Sequence, residues 1–312
     1  MPRDQGETPE ELKRDAESQE LLEHGGLPVT ATRRLEEARQ SGGTWSSDLS
    51  VAELAAVRGV GFDPVGLVMG TSVYHIGYQY GQRFGIGWRP PSGVLDSFPC
   101  THGWYHEGQM MGWNWENIAY AHALGAAREL AMERMEKEAA ALGAHGVVGL
   151  RVNHERGAEW GGHVQFLAIG TAIVRRGAPP LSSVFTSHLS GQEFAKLIRI
   201  GFVPAGFVAG IGAVQIQAGC MMEWQERLSQ NAEIEQFTLA AQKARQLAVR
   251  HLEDHVALVG QGVVGVESTA VSHSVGGAEL LEVQLTGTAV RRFATEPLPA
   301  EPLPIMRLRG VS

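Results

Sequence analysis

Cysteine is almost missing from this sequence: Cys100 and Cys220 are the two among 312 residues. That is too few for a disulfide framework, and the pair does not fall at matching places in the internal repeat described below, so a reducing, cytoplasmic setting is expected. Basic residues are also in deficit, 26 Lys and Arg against 34 Asp and Glu. No stretch builds the basic face that phosphate contacts need, so nucleic acid is not an expected partner. The acidity is concentrated at the start, where Met1 to Gly26 carries Asp4, Glu7, Glu10, Glu11, Asp15, Glu17, Glu20 and Glu23 against Arg3, Lys13 and Arg14. This segment lacks the charged-then-apolar pattern of a signal peptide. Catalytic signatures are scarce: no Ser/His/Asp set stands out by motif, no phosphate loop is present, and Gly206, Gly210 and Gly212 lack the acidic residue of a dinucleotide fingerprint. One long uncharged run, Gly201 to Met222, could cover a bilayer by length alone. It contains Pro204, Gln215, Gln217 and five glycines, and its earlier counterpart holds Asp63 and His75, so no membrane span is expected.

What the chain does have is a second statement of itself. Gly61-Phe62-Asp63-Pro64-Val65-Gly66 returns 140 positions later as Gly201-Phe202-Val203-Pro204-Ala205-Gly206. Ala127-Arg128-Glu129-Leu130-Ala131 returns as Ala244-Arg245-Gln246-Leu247-Ala248, Gly146-Val147-Val148-Gly149 as Gly262-Val263-Val264-Gly265, and Gly170-Thr171-Ala172 as Gly287-Thr288-Ala289. Matches in one order predict a duplicated domain. The expected organisation is an acidic, flexible extension over 1–26, a first domain over 27–178, a second over 179–294 and a Pro-rich tail over 295–312.

The residues predict an α+β fold, each domain a mainly antiparallel sheet packed on one long helix. Val29-Thr30-Ala31-Thr32 and Val184-Phe185-Thr186-Ser187 read as opening strands. Tyr120, Leu124, Ala127, Ala131 and Met135 form a helical stripe that returns as Phe237, Ala241, Ala244, Ala248 and Leu252 and is expected to face the core. On the last strand Val164, Phe166 and Ala168 stay apolar as Leu281, Val283 and Leu285. The alternate positions Gln165, Leu167 and Ile169 become Glu282, Gln284 and Thr286, which places them on an open or subunit-facing side.

Gly70-Thr71-Ser72-Val73, the run Leu142-Gly143-Ala144-His145-Gly146-Val147-Val148-Gly149 and the terminal Gly170-Thr171-Ala172 resemble the YbjQ family. The resemblance covers about 27–176 and, more weakly, 181–292, where Gly210-Ile211-Gly212-Ala213 replaces Gly-Thr-Ser-Val. It implies two tandem, divergent β-α-β-β domains assembling as a pentameric ring. The family is also associated with heavy-metal binding, without a ligand set that can be carried over residue by residue.

The spacing between matching blocks drops from 140 before the helix to 117 after it, so the first domain holds 23 extra residues within about 78–115. Trp88, Trp104, Tyr105, Trp113 and Trp115 lie there. Such an insert is expected to serve as an assembly contact or a ligand platform. The same stretch holds Cys100, His102 and His106, a thiol and two imidazoles within seven residues, a candidate set for zinc or copper. His154 and His163 flank a Gly-Gly loop, where a hairpin could set them opposite each other, although a solvated loop is favoured. His251 and His255, one helical turn apart, read as an exposed polar face. In the tail, Leu298, Leu303, Ile305 and Met306 are candidate anchors on a polyproline-type stretch.

Three functions therefore stand open. The first is a non-enzymatic, ring-forming homo-oligomer whose partner is itself. The others are a metal-binding or metal-sensing protein using Cys100, His102 and His106, and an enzyme whose site is shared between subunits.

Overall fold

Small residues let a helix lie directly on a strand, and that contact organises the fold seen in a computed structural model of the chain. The structure describes residues 8–39, 46–75, 113–157, 163–179, 181, 183–217, 233–275 and 278–294. Its elements run α1 (Pro9–Glu23), α2 (Val29–Arg39), α3 (Val51–Gly59), β1 (Phe62–His75), β2 (Trp113–Glu116), α4 (Ile118–Ala141), β3 (Gly146–Gly157), β4 (His163–Arg175) and β5 (Phe185–Thr186). They continue as α5 (Gly191–Arg199), β6 (Phe202–Gln217), α6 (Glu235–Val259), β7 (Gly262–Val275) and β8 (Ala278–Arg292). The fold is α+β, and the described residues form two four-stranded sheets ordered β1-β4-β3-β5 and β2-β6-β8-β7. All pairings are antiparallel except β3 with β5.

The order of five elements recurs along the chain. α3, β1, α4, β3 and β4 are followed in the same order by α5, β6, α6, β7 and β8. The ladders share their irregularities: register shifts fall between Pro64 and Gly66 and between Pro204 and Gly206, and again at Val148/Arg151 and Val264/Glu267. Gly149 and Gly265 hold φ of 63° and 64° inside the latter pair of bulges, a backbone region that favours glycine.

α4 lies on β1 so closely that a Cβ at Gly70 would sit 2.0 Å from the Ala131 carbonyl oxygen, and one at Gly210 would sit 2.1 Å from that of Ala248 on α6. The predicted stripe is buried throughout on α4, with Leu124, Ala127, Ala131 and Met135 at 0 % exposure. On α6 it holds at Ala244, Ala248 and Leu252, whereas Ala241 is exposed because no element covers that side of the helix among the described residues.

One local expectation is corrected. Val29–Arg39 is helix α2, not a strand; it buries Leu35 and carries Arg34 to the α4 carboxylate Glu138. The segment that leads into α3 in the way Phe185–Ser190 leads into α5 is instead Ser47-Asp48-Leu49-Ser50. Both helices start with a capping box, Ser50 with Glu53 and Ser190 with Glu193. The uncharged run from Gly201 is mostly strand β6, and no helix among the described residues is long and apolar enough to cross a membrane.

Candidate functional site

Each sheet borrows its edge strand from the other half of the chain. β5 of the second half adds to β3 of the first, pairing Gly146 with Phe185 and Val147 with Thr186. The attachment continues through the Ser187 N–H to Val147 O at 2.9 Å, and the Leu150 and Gly149 N–H groups to Ser187 O and Leu189 O, each at 3.0 Å. In return β2, the end of the predicted aromatic insert, adds to β6 with Trp113 opposite Gln217 and Trp115 opposite Gln215. Asn114 Nδ2 donates to Gln236 O at 2.8 Å and fixes β2 against α6 as well.

Between the exchanged strands the chain buries polar groups. Tyr120, on the first turn of α4, donates from its hydroxyl to Glu282 Oε2 at 2.9 Å and lies 3.3 Å from His273 Nε2. Glu282 is 1 % exposed and also accepts from the Gln284 amide. Asn117 caps α4 through the Tyr120 N–H and reaches Gln215 Oε1. Glu282 and Gln284 were expected on an open or subunit-facing side; they are covered by α4 of the same chain, which brings the first half's helix against the second half's sheet. Ile211, Ala213 and Leu280 accordingly belong to one core cluster with Leu124, Ala127 and Met132. Arg128 is buried too, its Nη1 without a hydrogen-bond partner among the described residues, and burial lowers its pKa.

A second polar feature secures the outer edges of β1 and β6. Glu138 Oε2 accepts from the Met69 N–H at 2.8 Å and pairs with Arg34, while Arg134 donates to Thr71 O. At the matching places of the second half, His255 meets the Ala209 backbone at 3.4 Å and His251 Nδ1 donates to Ile211 O at 2.7 Å. Helix side chains thus satisfy strand groups that would otherwise be open for pairing. Burial is the leading cause that raises the Glu138 pKa, opposed by the Met69 N–H and Arg34.

The histidines are placed differently from expectation. His251 and His255 are half-buried latches, not a free chelating face. His154 stacks on Phe166, and His163 lies across from His75 with ring centroids 4.9 Å apart, so the hairpin does not pair His154 with His163. His145 is used up: its Nδ1 accepts from the Arg175 N–H and its Nε2 donates to Pro179 O. Cys100, His102, His106, Trp88, Trp104, Tyr105, Leu298, Leu303, Ile305 and Met306 lie outside the described residues. Among the described residues no group of three or more His, Cys, Asp or Glu is arranged to hold a metal ion.

Together these features define a mixed α+β chain whose halves are stitched by strand exchange around a buried polar junction. Residues 113–176 match the YbjQ family, described as "Putative heavy-metal-binding". The chain is also similar to the Encapsulin nanocompartment protein Rv1762c of Mycobacterium tuberculosis (strain ATCC 25618 / H37Rv), with 36 % identity over 277 residues, which is 87 % of this chain and 94 % of that protein. The chain belongs to that protein's family.

Proposed function

We propose that this chain is a non-enzymatic assembly component of an encapsulin nanocompartment, built from a duplicated YbjQ-like domain and closing into a homo-oligomeric ring in the cytoplasm. The observation that carries the reading is the strand exchange between halves, joined to the likeness to an encapsulin nanocompartment protein over nearly the whole chain. An assembly protein needs surfaces that recognise copies of the same fold, and here one such surface is already occupied within the chain. The domains span 27–178 and 179–294, and five chains, the number implied by the YbjQ resemblance, place ten domains in the ring. The aromatic insert residues Trp88, Trp104, Tyr105, Trp113 and Trp115 and the tail anchors Leu298, Leu303, Ile305 and Met306 serve as contacts in the assembly.

Native mass spectrometry of protein purified without a metal-affinity tag tests the proposal. A multiple of five chains is the expected result, and a compact monomer of 33.7 kDa overturns it.

The match to a family described by metal binding favours one second reading, in which Cys100, His102 and His106 take up zinc or copper. Replacing all three with alanine then abolishes stoichiometric metal uptake measured by inductively coupled plasma mass spectrometry. Uptake that survives the triple substitution removes this reading.

A further inference from the structure

The junction between the halves is heterologous: it uses one face of the first half and a different face of the second. The first half contributes the outer edge of β3 and the strand before α4. The second contributes the Phe185–Leu189 segment and the outer edge of β6. Because the two halves share one plan, each still carries the face that the other has used. The first half keeps its own pre-helix segment, Ser47-Asp48-Leu49, and the β1 edge. The second keeps the β7 edge, which pairs with β8 alone among the described residues.

These unused faces have the form of an interface opened to solvent. Leu150 on β3 is 2 % exposed, and its counterpart Val266 on β7 is 50 % exposed. Ala213 on β6 is fully buried, and its counterpart Val73 on β1 is 64 % exposed. On the helices, buried Gly191 corresponds to Val51, and buried Met132 to the exposed Val249. The docking segment is also prepared in the same way at both places. Ser187 and the His188 N–H are fastened to Thr288 Oγ1, each at 3.2 Å, which leaves the 187–189 backbone free to pair with β3. Ser47 and the Asp48 N–H are fastened to Thr171 Oγ1 at 3.1 and 3.0 Å, and no described strand takes up the 47–49 backbone. Gly265 repeats the positive φ of Gly149, whose N–H makes the inner contact to Leu189 O.

We infer that the β7 edge at Val263–Val266 docks the Ser47–Leu49 segment of a second copy of this chain, reproducing between chains the contact seen within one. The Val266 N–H then donates to Ser47 O and the Gly265 N–H to Leu49 O of that copy. This deepens the ring proposed above and rests on it, since it names the surfaces that join successive chains. A head-to-tail contact of this kind closes into a ring or runs on as a filament, and it gives every closed ring an even number of domains.

The experiment compares wild type, Val266→Asp and Leu12→Asp by native mass spectrometry and far-UV circular dichroism. Leu12 is a surface residue of α1, 54 % exposed, and serves as the control. Loss of the oligomer in Val266→Asp with an unchanged spectrum, and an intact oligomer in Leu12→Asp, is expected. A parallel variant carries Ser46→Cys and Val263→Cys, the counterparts of the paired Thr186 and Val147, in a Cys100→Ser/Cys220→Ser background. Mild oxidation should produce a covalent ladder on non-reducing gels, absent when either new cysteine is left out. If Val266→Asp fails to fold, the cysteine pair decides: a ladder supports the junction and its absence overturns it. An oligomeric wild type that Val266→Asp leaves intact, without a ladder, overturns this junction and leaves the assembly reading standing. A monomeric wild type overturns both.

Discussion

Replacing Gly70 with alanine tests whether the helix-on-strand contact sets the spacing of the first half. The new Cβ would lie 2.0 Å from Ala131 O, 2.6 Å from the Met135 nitrogen and 3.1 Å from the Ala131 carbonyl carbon, all backbone atoms of α4 that no rotamer change can move. The helix must therefore withdraw by about 1 Å to restore contacts of 3.0 Å or more. Withdrawal loosens Ala127, Ala131 and Met135, each fully buried. Overpacking alone costs about 1–3 kcal/mol, and lost burial adds about 0.8 kcal/mol for each methylene re-exposed, so a loss of about 3–5 kcal/mol is expected. That is a large share of a typical stability of about 5–15 kcal/mol. Gly125, on α4, has no atom of the described residues within 4 Å of its Cβ position. Gly125→Ala should stabilise by about 0.5–1 kcal/mol, because alanine gives up less backbone freedom on entering a helix. Urea titrations by circular dichroism at one fixed protein concentration read both changes. A Gly70→Ala loss below about 1 kcal/mol, or shifts of the same sign in both variants, would refute the packing argument.

Tyr120→Phe removes the hydroxyl that donates to Glu282 at 2.9 Å and should cost about 1–3 kcal/mol in the same titration, since a buried acceptor loses a partner. Ser50→Ala and Ser190→Ala each break a capping box and should cost about 1 kcal/mol, with the double variant showing the sum if the caps act independently. The Ser50 and Ser190 hydrogen bonds hold Glu53 and Glu193 below the ordinary glutamate range. Their contribution is therefore present above that range and lost as pH falls through the lowered values, so the alanine variants should converge on wild type in acid. Glu138 has the opposite sign. Its pKa is raised by burial, so the native chain holds the proton more tightly than the unfolded chain, and its ionisation weakens the fold as pH rises between the two values. The melting temperature of Glu138→Gln should gain on wild type across that window; a difference independent of pH would refute the assignment.

Much of the architecture is written in the sequence because it rests on local periodicities. The stripe from Tyr120 to Met135 and the alternation at Val164, Phe166 and Ala168 depend on local spacing alone, and both face the core. The polar junction is less legible. Glu282 and Gln284 occupy positions that a single sheet would leave open, and only the approach of α4 from the other half buries them. No pattern in one strand reports a covering helix more than 140 residues earlier. The start of each half was readable by another signal: Ser-x-x-Glu followed by apolar residues stands at Ser50 and Ser190, and Ser47-Asp48-Leu49 recurs as Ser187-His188-Leu189. The β-branched run at Val29 competes with that signal and loses, because Arg33 and Arg34 follow it and Leu35 supplies a buried helical contact.

The divergence between the halves gives the chain a direction. At the inner junction Tyr120 presents a hydroxyl to a buried carboxyl group flanked by an amide, and the Tyr120–Glu282 hydrogen bond links the two halves. The counterparts of Tyr120, Glu282 and Gln284 are Phe237, Gln165 and Leu167, so the junction proposed between chains lacks the buried carboxyl group. A polar pair that must be matched favours one docking geometry over sliding alternatives, whereas an apolar contact tolerates adjustment. The covalently linked junction can carry the demanding cluster, because chain connectivity brings its two sides together at high effective concentration. The junction proposed between chains would form from dilute partners, and its surface is a strand edge with exposed valines. On that proposal the two junctions have separate roles, one held by the buried polar cluster and the other by an open strand edge.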